Sequence, residues 1–173
     1  MPRTILYLFL IIFSSCSSVK YYIVRHAEKE TASVGTTMST PNDPPLSAAG
    51  RVRAIELREA IRGKRIRYIF STNTIRTIST VQPSNELRGA THVEIYNTKD
   101  SLDQFIQKLK EIRKGNSLIV GHSNTVDDIV NKLCGEIKVP NDLPDSEYDN
   151  LYIVTKKGKH FKFENKTYGT PTN

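Results

Sequence analysis

Cysteine is nearly absent from this 173-residue chain: only Cys16 and Cys134 occur, too few for a disulfide framework. Metal-site spacing is missing as well, with no paired-cysteine motif, no HExxH and no DxDG loop. There is no internal repeat, and no segment joins low hydrophobicity to high net charge as a disordered region does. The formal net charge of +7 favours anionic ligands. The basic residues are scattered, however, without aromatic interleaving or a module signature, so nucleic acid is not an expected partner. At this length, with 38% hydrophobic residues, one domain with a real core is expected over residues 16–173.

Long apolar runs are also lacking. The run "ILYLFLIIF", Ile5 to Phe13, has nine residues, against about 20 needed to cross a bilayer. It follows Arg3 and precedes "SSCSS", the layout of a signal peptide over residues 1–15. "FSSC" resembles the lipobox of bacterial lipoproteins, which implies lipidation of Cys16 and a membrane anchor in the bacterial cell envelope. An ordinary secretory signal with a chance cysteine is the alternative, and either implies export. Cys134, at the end of the helical pattern "IVNKLCG", reads as a small buried residue rather than a nucleophile.

What is present is a regular alternation. "YYIVR" (21–25), "IRYIFS" (66–71), "THVEIY" (91–96) and "NSLIVGH" (116–122) have strand character. Between them stand helical patterns over 47–61, with Val52, Ile55 and Leu57 as its apolar positions, over 74–85 and over 101–115. The last carries Leu102, Phe105, Ile106, Leu109 and Ile112 on one face, with Ser101 as N-cap. A further helix runs through "TVDDIVNKLCG", and "NLYIVTKKGKHFKFEN" reads as a hairpin around Lys157-Gly158. The polar stretch 29–45 is long enough to be a flap. Strands alternating with helices of this length predict an α/β fold, a mostly parallel sheet with helices on both faces. In such sheets ligands bind outside the carboxyl ends of the strands.

At those ends the sequence places Arg25-His26, then Ser71 leading to Arg76, then Gly121-His122. Two guanidiniums offer planar, permanently charged donors for phosphate oxygens. One imidazole can act as nucleophile and a second can hydrogen-bond the same phosphate. Phosphoryl transfer asks mainly for positioning and charge stabilisation, which these groups supply without a metal.

"VRHAE", "LSAAGRVRA", "STNTIRT" and "IVGHSNT", in this order, resemble the histidine phosphatase superfamily, the phosphoglycerate mutase-like enzymes, and in particular its short bacterial members. The resemblance covers residues 21 to about 155 and implies a three-layer α/β/α sandwich. It also implies that His26 forms a phosphohistidine, that Arg25 and Arg76 bind the phosphate, and that His122 completes the pocket. The third residue of the first motif, commonly glycine, is Ala27 here. The implied activity is that of a phosphomonoester hydrolase without metal or cofactor, acting on a small phosphorylated substrate. A mutase would need more enclosing segments than the loop at 29–45. The alternative from another class is a non-catalytic exported lipoprotein that binds anionic ligands in the inherited pocket. For the general acid, Ser123 stands where phytase-like members have Asp. That leaves Asp100, which could equally be a helix-start acid, and Glu28 as second candidate. Asn124 fits either a pocket-lining or a helix-capping role, and Glu147, Tyr148 and Asp149 fit either a site motif or a loop anchor.

Overall fold

Tyr21 and Ile23 pack to one side of the first strand and Tyr22 and Val24 to the other, all buried. A strand buried on both faces needs cover on both faces, and each such side chain contributes about 1.5–3 kcal/mol. The computed structural model describes residues 18–31, 40, 42–87, 89, 92–98 and 101–172. Residues 1–15, where a signal peptide is expected, as well as Cys16, most of the stretch expected to be a flap and Asp100, lie outside the described residues.

Among these, six strands and four helices follow in the order β1 (Val19–Arg25), α1 (Ala48–Ala60), β2 (Ile66–Ser71), α2 (Ile75–Glu86), β3 (Val93–Ile95), α3 (Leu102–Glu111), β4 (Asn116–Gly121), α4 (Val126–Cys134), β5 (Asn150–Lys157) and β6 (His160–Thr167). They form one sheet in the order β3-β2-β4-β1-β5-β6. The first four strands of that order are parallel, and the β5–β6 hairpin is antiparallel to β1 and within itself. α3 and α4 cover one face around Phe105, Leu109, Ile129 and Leu133, while Leu57, Ile61 and Val81 of α1, its C-cap and α2 cover the other. This is the predicted α/β sandwich.

Several local expectations need correction. α1 buries Gly50, Arg53, Ala54 and Leu57, whereas Val52 and Ile55 are exposed. The apolar pattern misled because a buried arginine occupies the inner face, where Arg53 Nε donates to Glu28 at 2.7 Å and Nη1 to the Thr170 carbonyl at 3.0 Å. Gly50 belongs to that face because a Cβ there would stand 2.1 Å from the Glu28 carbonyl oxygen. α3 ends at Glu111, four residues before Gly115, because Ile112 takes an extended ψ of 124°. Ser101 occupies its N-cap position without a capping bond, its hydroxyl donating instead to the Asn97 carbonyl. β3 has only three residues. Cys134 is partly buried, and burial pushes its thiol pKa up, in keeping with an inert residue.

Candidate active site

The three adjacent central strands β2, β4 and β1 run parallel, so their carboxyl ends meet at one edge. Register does the rest: Arg25 pairs with Gly121, and the His26 N–H donates to the Gly121 carbonyl at 2.9 Å. His26 and His122 are thus the next residues beyond two neighbouring strands, and their ring centroids lie 5.4 Å apart at 66°. Gly121 permits the fit, since a Cβ would lie 2.8 Å from the Tyr96 hydroxyl and 2.9 Å from the Thr125 hydroxyl. The Thr125 hydroxyl accepts the His122 N–H at 2.9 Å, and the Tyr96 hydroxyl donates to the Val120 carbonyl at 3.0 Å.

A cavity of about 650 Å³ opens at this edge, lined by Arg25, His26, Arg76 and His122, together with Asn124, Lys29, Thr98 and Leu102 and the carboxylates Asp128, Asp142 and Asp145. The four core residues anticipated from sequence therefore share one cavity. Asn124 lines it and does not cap α4, whose N-cap is Thr125. Glu28 is not among the lining residues. Its carboxylate is committed to Arg53, and its carbonyl accepts the Ser47 N–H at 2.9 Å. Asp100 falls outside the described residues, although Thr98 and Leu102 on either side of it both line the cavity.

His26 is 4% exposed. Its Nδ1 lies 2.8 Å from the Ala27 carbonyl, which can only accept, so Nδ1 carries the proton and Nε2 keeps a lone pair. Burial above all, then the charges of Arg25, His122 and Arg76, lowers its pKa to about 3. The ring is neutral at ordinary pH, the state a nucleophile requires. Ala27 is itself fully buried against Leu46 and Ala54, with its N–H on Thr80 at 2.9 Å, so a methyl is accommodated at this position.

A relay of hydroxyls sets the His122 tautomer. Thr77 donates to the Thr72 carbonyl at 2.9 Å, Thr72 donates to Thr77 at 3.1 Å, and Thr72 therefore accepts from His122 Nε2–H at 2.9 Å. The Nδ1 lone pair is left facing Arg76 Nη2 at 3.4 Å. Burial first, then the Arg76 and Arg25 charges, lowers the His122 pKa to about 4.

Each arginine is held by neighbours the sequence did not reveal. Arg25, 3% exposed, gives Nη1 to the carbonyls of Pro144 (2.7 Å) and Glu147 (3.1 Å). Its Nη2 goes to Asp145 at 3.2 Å and to the Tyr148 hydroxyl at 3.4 Å. Arg76 sits in the first turn of α2 with Nη1 on Asp43 at 3.0 Å. In both guanidiniums Nε is buried without a hydrogen-bond partner among the described residues. Of these partners Asp145, Glu147 and Tyr148 lie in a segment the sequence marked, "DSEYDN" before β5; Asp43 and Thr72 had no signal of their own. Among the described residues no group of three or more His, Cys, Asp or Glu could hold a metal ion, and no helix is long and apolar enough to cross a membrane.

Fold and site define an α/β protein of phosphoglycerate mutase-like architecture, with two histidines and two arginines converging at the carboxyl edge of its parallel strands. Residues 21–101, which include Arg25, His26 and Arg76, match the family model "Histidine phosphatase superfamily (branch 1)". That match spans 81 of the 173 residues, and the solved structures that resemble the chain share its fold. The chain is similar in structure to the protein histidine phosphatase SixA complexed with tungstate (14% identity, TM-score 0.64, 86% of this chain and 96% of that one). Similar too are the alpha-ribazole phosphatase from Shigella flexneri (14%, 0.64, 87% and 96%) and phosphoserine phosphatase from Entamoeba histolytica with 3-phosphoglyceric acid (14%, 0.57, 88% and 98%). At these identities the likeness is one of fold. No curated protein sequence matches the chain.

Proposed function

We propose that the chain is a phosphomonoester hydrolase that works through a phosphohistidine on His26 and needs no metal ion. The observation that carries this reading is a buried, neutral His26, its Nδ1–H tied to a backbone carbonyl, in one cavity with Arg25, Arg76 and His122. Nε2 attacks phosphorus, a P–N bond forms and the P–O bond to the alcohol breaks. The Ala27 carbonyl stabilises the positive charge that develops on the ring, and the arginines neutralise the equatorial oxygens. A dianion beside His122 raises its pKa, so that it takes a proton and donates to the phosphate. The leaving alcohol takes its proton from Asp100. Water then attacks phosphorus and gives a proton to the Asp100 carboxylate; a P–O bond forms, the P–N bond breaks, and inorganic phosphate leaves with His26 and Asp100 restored. The names of the structural neighbours, all phosphatases, support the same class of reaction. We further propose export of the chain and lipidation at Cys16, on the strength of the apolar segment and "FSSC". Retention of the chain by membranes and its release by Cys16→Ala is the expected result.

The test uses the full-length chain in a mild detergent with a generic aryl phosphate and excess chelator, beside His26→Ala. Turnover by the wild type only, with an acid-labile, base-stable phosphoenzyme on quenching, is expected. Phosphate binding without turnover across a panel of phosphomonoesters would replace this reading by the non-catalytic one.

A further inference from the structure

We infer that residues 168–172 act as a clasp that positions Arg25, with Thr172 and Tyr148 as positioning residues. This rests on the reading of Arg25 as a phosphate ligand.

Among the described residues the hydrogen-bond partners of the Arg25 guanidinium come from Pro144, Asp145, Glu147 and Tyr148, and the Tyr148 ring lies against it at 4.2 Å from centroid to Cζ. Both hydrogens of Nη1 are engaged by backbone carbonyls. Where those carbonyls stand therefore decides how the Nε and Nη2 edge is presented to an anion. Yet residues 144–148 belong to neither a helix nor a strand, so no ladder of backbone bonds fixes them.

Besides a turn bond from the Glu147 N–H to the Pro144 carbonyl and Asn150 on the Glu147 carboxylate, the segment after β6 holds them. The Thr172 hydroxyl donates to Asp149 at 2.6 Å and accepts the Tyr148 N–H at 3.2 Å, while the Thr172 N–H reaches the same carboxylate at 3.3 Å. The Asp149 carbonyl accepts the Tyr168 N–H at 2.9 Å. Asp149 is buried, so these donors take the place of water on its carboxylate. The segment is anchored in turn on α1, where Arg53 binds the Thr170 carbonyl at 3.0 Å and Glu56 takes the Thr170 N–H at 3.1 Å and its hydroxyl at 2.8 Å. Arg53 is also the partner of Glu28, two residues past His26. The clasp thus ties together the loop that aims Arg25 and the loop that carries the nucleophile.

The experiment compares Thr172→Val, which removes both hydroxyl bonds, with Thr172→Ser, which keeps them, in the full-length chain. The readouts are the Ki of inorganic phosphate, KM and kcat on an aryl phosphate, and the NMR shift of the Arg25 Nε–H, identified by its loss in Arg25→Lys. Thr172→Val should raise Ki and KM roughly tenfold, with kcat falling less than about threefold, and should move the Nε–H resonance. Thr172→Ser should stay within about twofold on all three. Asp149→Asn, which weakens the same grip by another route, should raise Ki in the same direction, and it serves if Thr172→Val does not fold. A folded Thr172→Val or Asp149→Asn with unchanged Ki and an unmoved Nε–H overturns the clasp while leaving the hydrolase reading intact. Absence of phosphate binding by the wild type removes the role of Arg25 itself, and the clasp with it.

Discussion

Asp43 holds Arg76 by the tip and the base of the same helix turn: one carboxylate oxygen takes Nη1 at 3.0 Å, and both take the Ile75 N–H, at 3.1 and 2.9 Å. The carboxylate positions the guanidinium while reducing its pull on an anion. The two effects separate by substitution. Asp43→Asn keeps an acceptor and should change kcat/KM by less than about threefold. Asp43→Ala loses the aim and a helix-start acceptor, costing about 1 kcal/mol of stability and roughly tenfold in kcat/KM. Equal losses in the two variants would show that charge, not position, is what Asp43 supplies.

Asp145 stands on Arg25 in a different way. Its side chain is 96% exposed, and it takes one Nη2 hydrogen at 3.2 Å. A pair whose carboxylate is this exposed is worth about 0–1 kcal/mol, so phosphate can displace it. Asp145→Asn should therefore lower the Ki of inorganic phosphate by up to about fivefold. The difference from wild type should shrink at high salt. A raised Ki would instead make Asp145 part of the support for Arg25.

Glu28 and Asp100 part company on leaving groups. Because Glu28 is paired with an arginine 4% exposed, Glu28→Ala leaves Arg53 with Glu56 at 4.0 Å and the Thr170 carbonyl, and should cost about 1.5–3 kcal/mol in urea unfolding. Glu28→Gln should affect alkyl and aryl phosphates alike. Asp100→Asn should slow alkyl phosphates far more than aryl phosphates, which barely need a proton. Equal loss on both substrates would remove Asp100 from the role.

The histidines predict a stability profile whose sign is fixed. Both have an ordinary pKa of 6.5, lowered in the folded chain to about 3 for His26 and about 4 for His122. Between about pH 6.5 and 4 the unfolded chain therefore binds protons that the folded chain refuses. Stability falls with pH across that window, by at most about 1.4 kcal/mol per unit for each histidine. Urea unfolding at pH 7 and pH 4.5 should show a smaller drop for His26→Gln than for wild type. The acid limb of kcat/KM, corrected for ionisation of the substrate, should lie well below pH 6.5. A limb at 6.5 would mean that the nucleophile is not shielded as the geometry requires.

β-branched and aromatic runs announced the central strands, and β2 falls on the residues anticipated, because burial on both faces demands apolar residues throughout. Arg25, His26, Arg76 and His122 were legible for the same reason, since their place follows from where strands end. α1 was misread at Val52 and Ile55 because a buried Arg53–Glu28 pair does not look apolar in a sequence. Asp43 and Thr72 touch their partners at sequence separations of 33 and 50 residues, and nothing local records such contacts. Their existence depends on how loops pack, which hydrophobic periodicity does not encode.

β1 has two neighbours in the sheet, β4 and β5, and both are made long after it. As the chain grows, the strand that carries the nucleophile has no partner until residues 116–121 arrive, and its other edge stays open until the last hairpin forms. Contacts this distant in sequence are slow to close, because loop entropy is lost before they are rewarded. The order of synthesis consequently makes the cavity one of the last features to exist. A growing or truncated chain lacking β4 presents Arg25 and His26 on an unpaired strand rather than in a pocket. Phosphate recognition is then a sign that the central sheet has closed, and the same delay makes the early strand the point at which association between incomplete chains would begin.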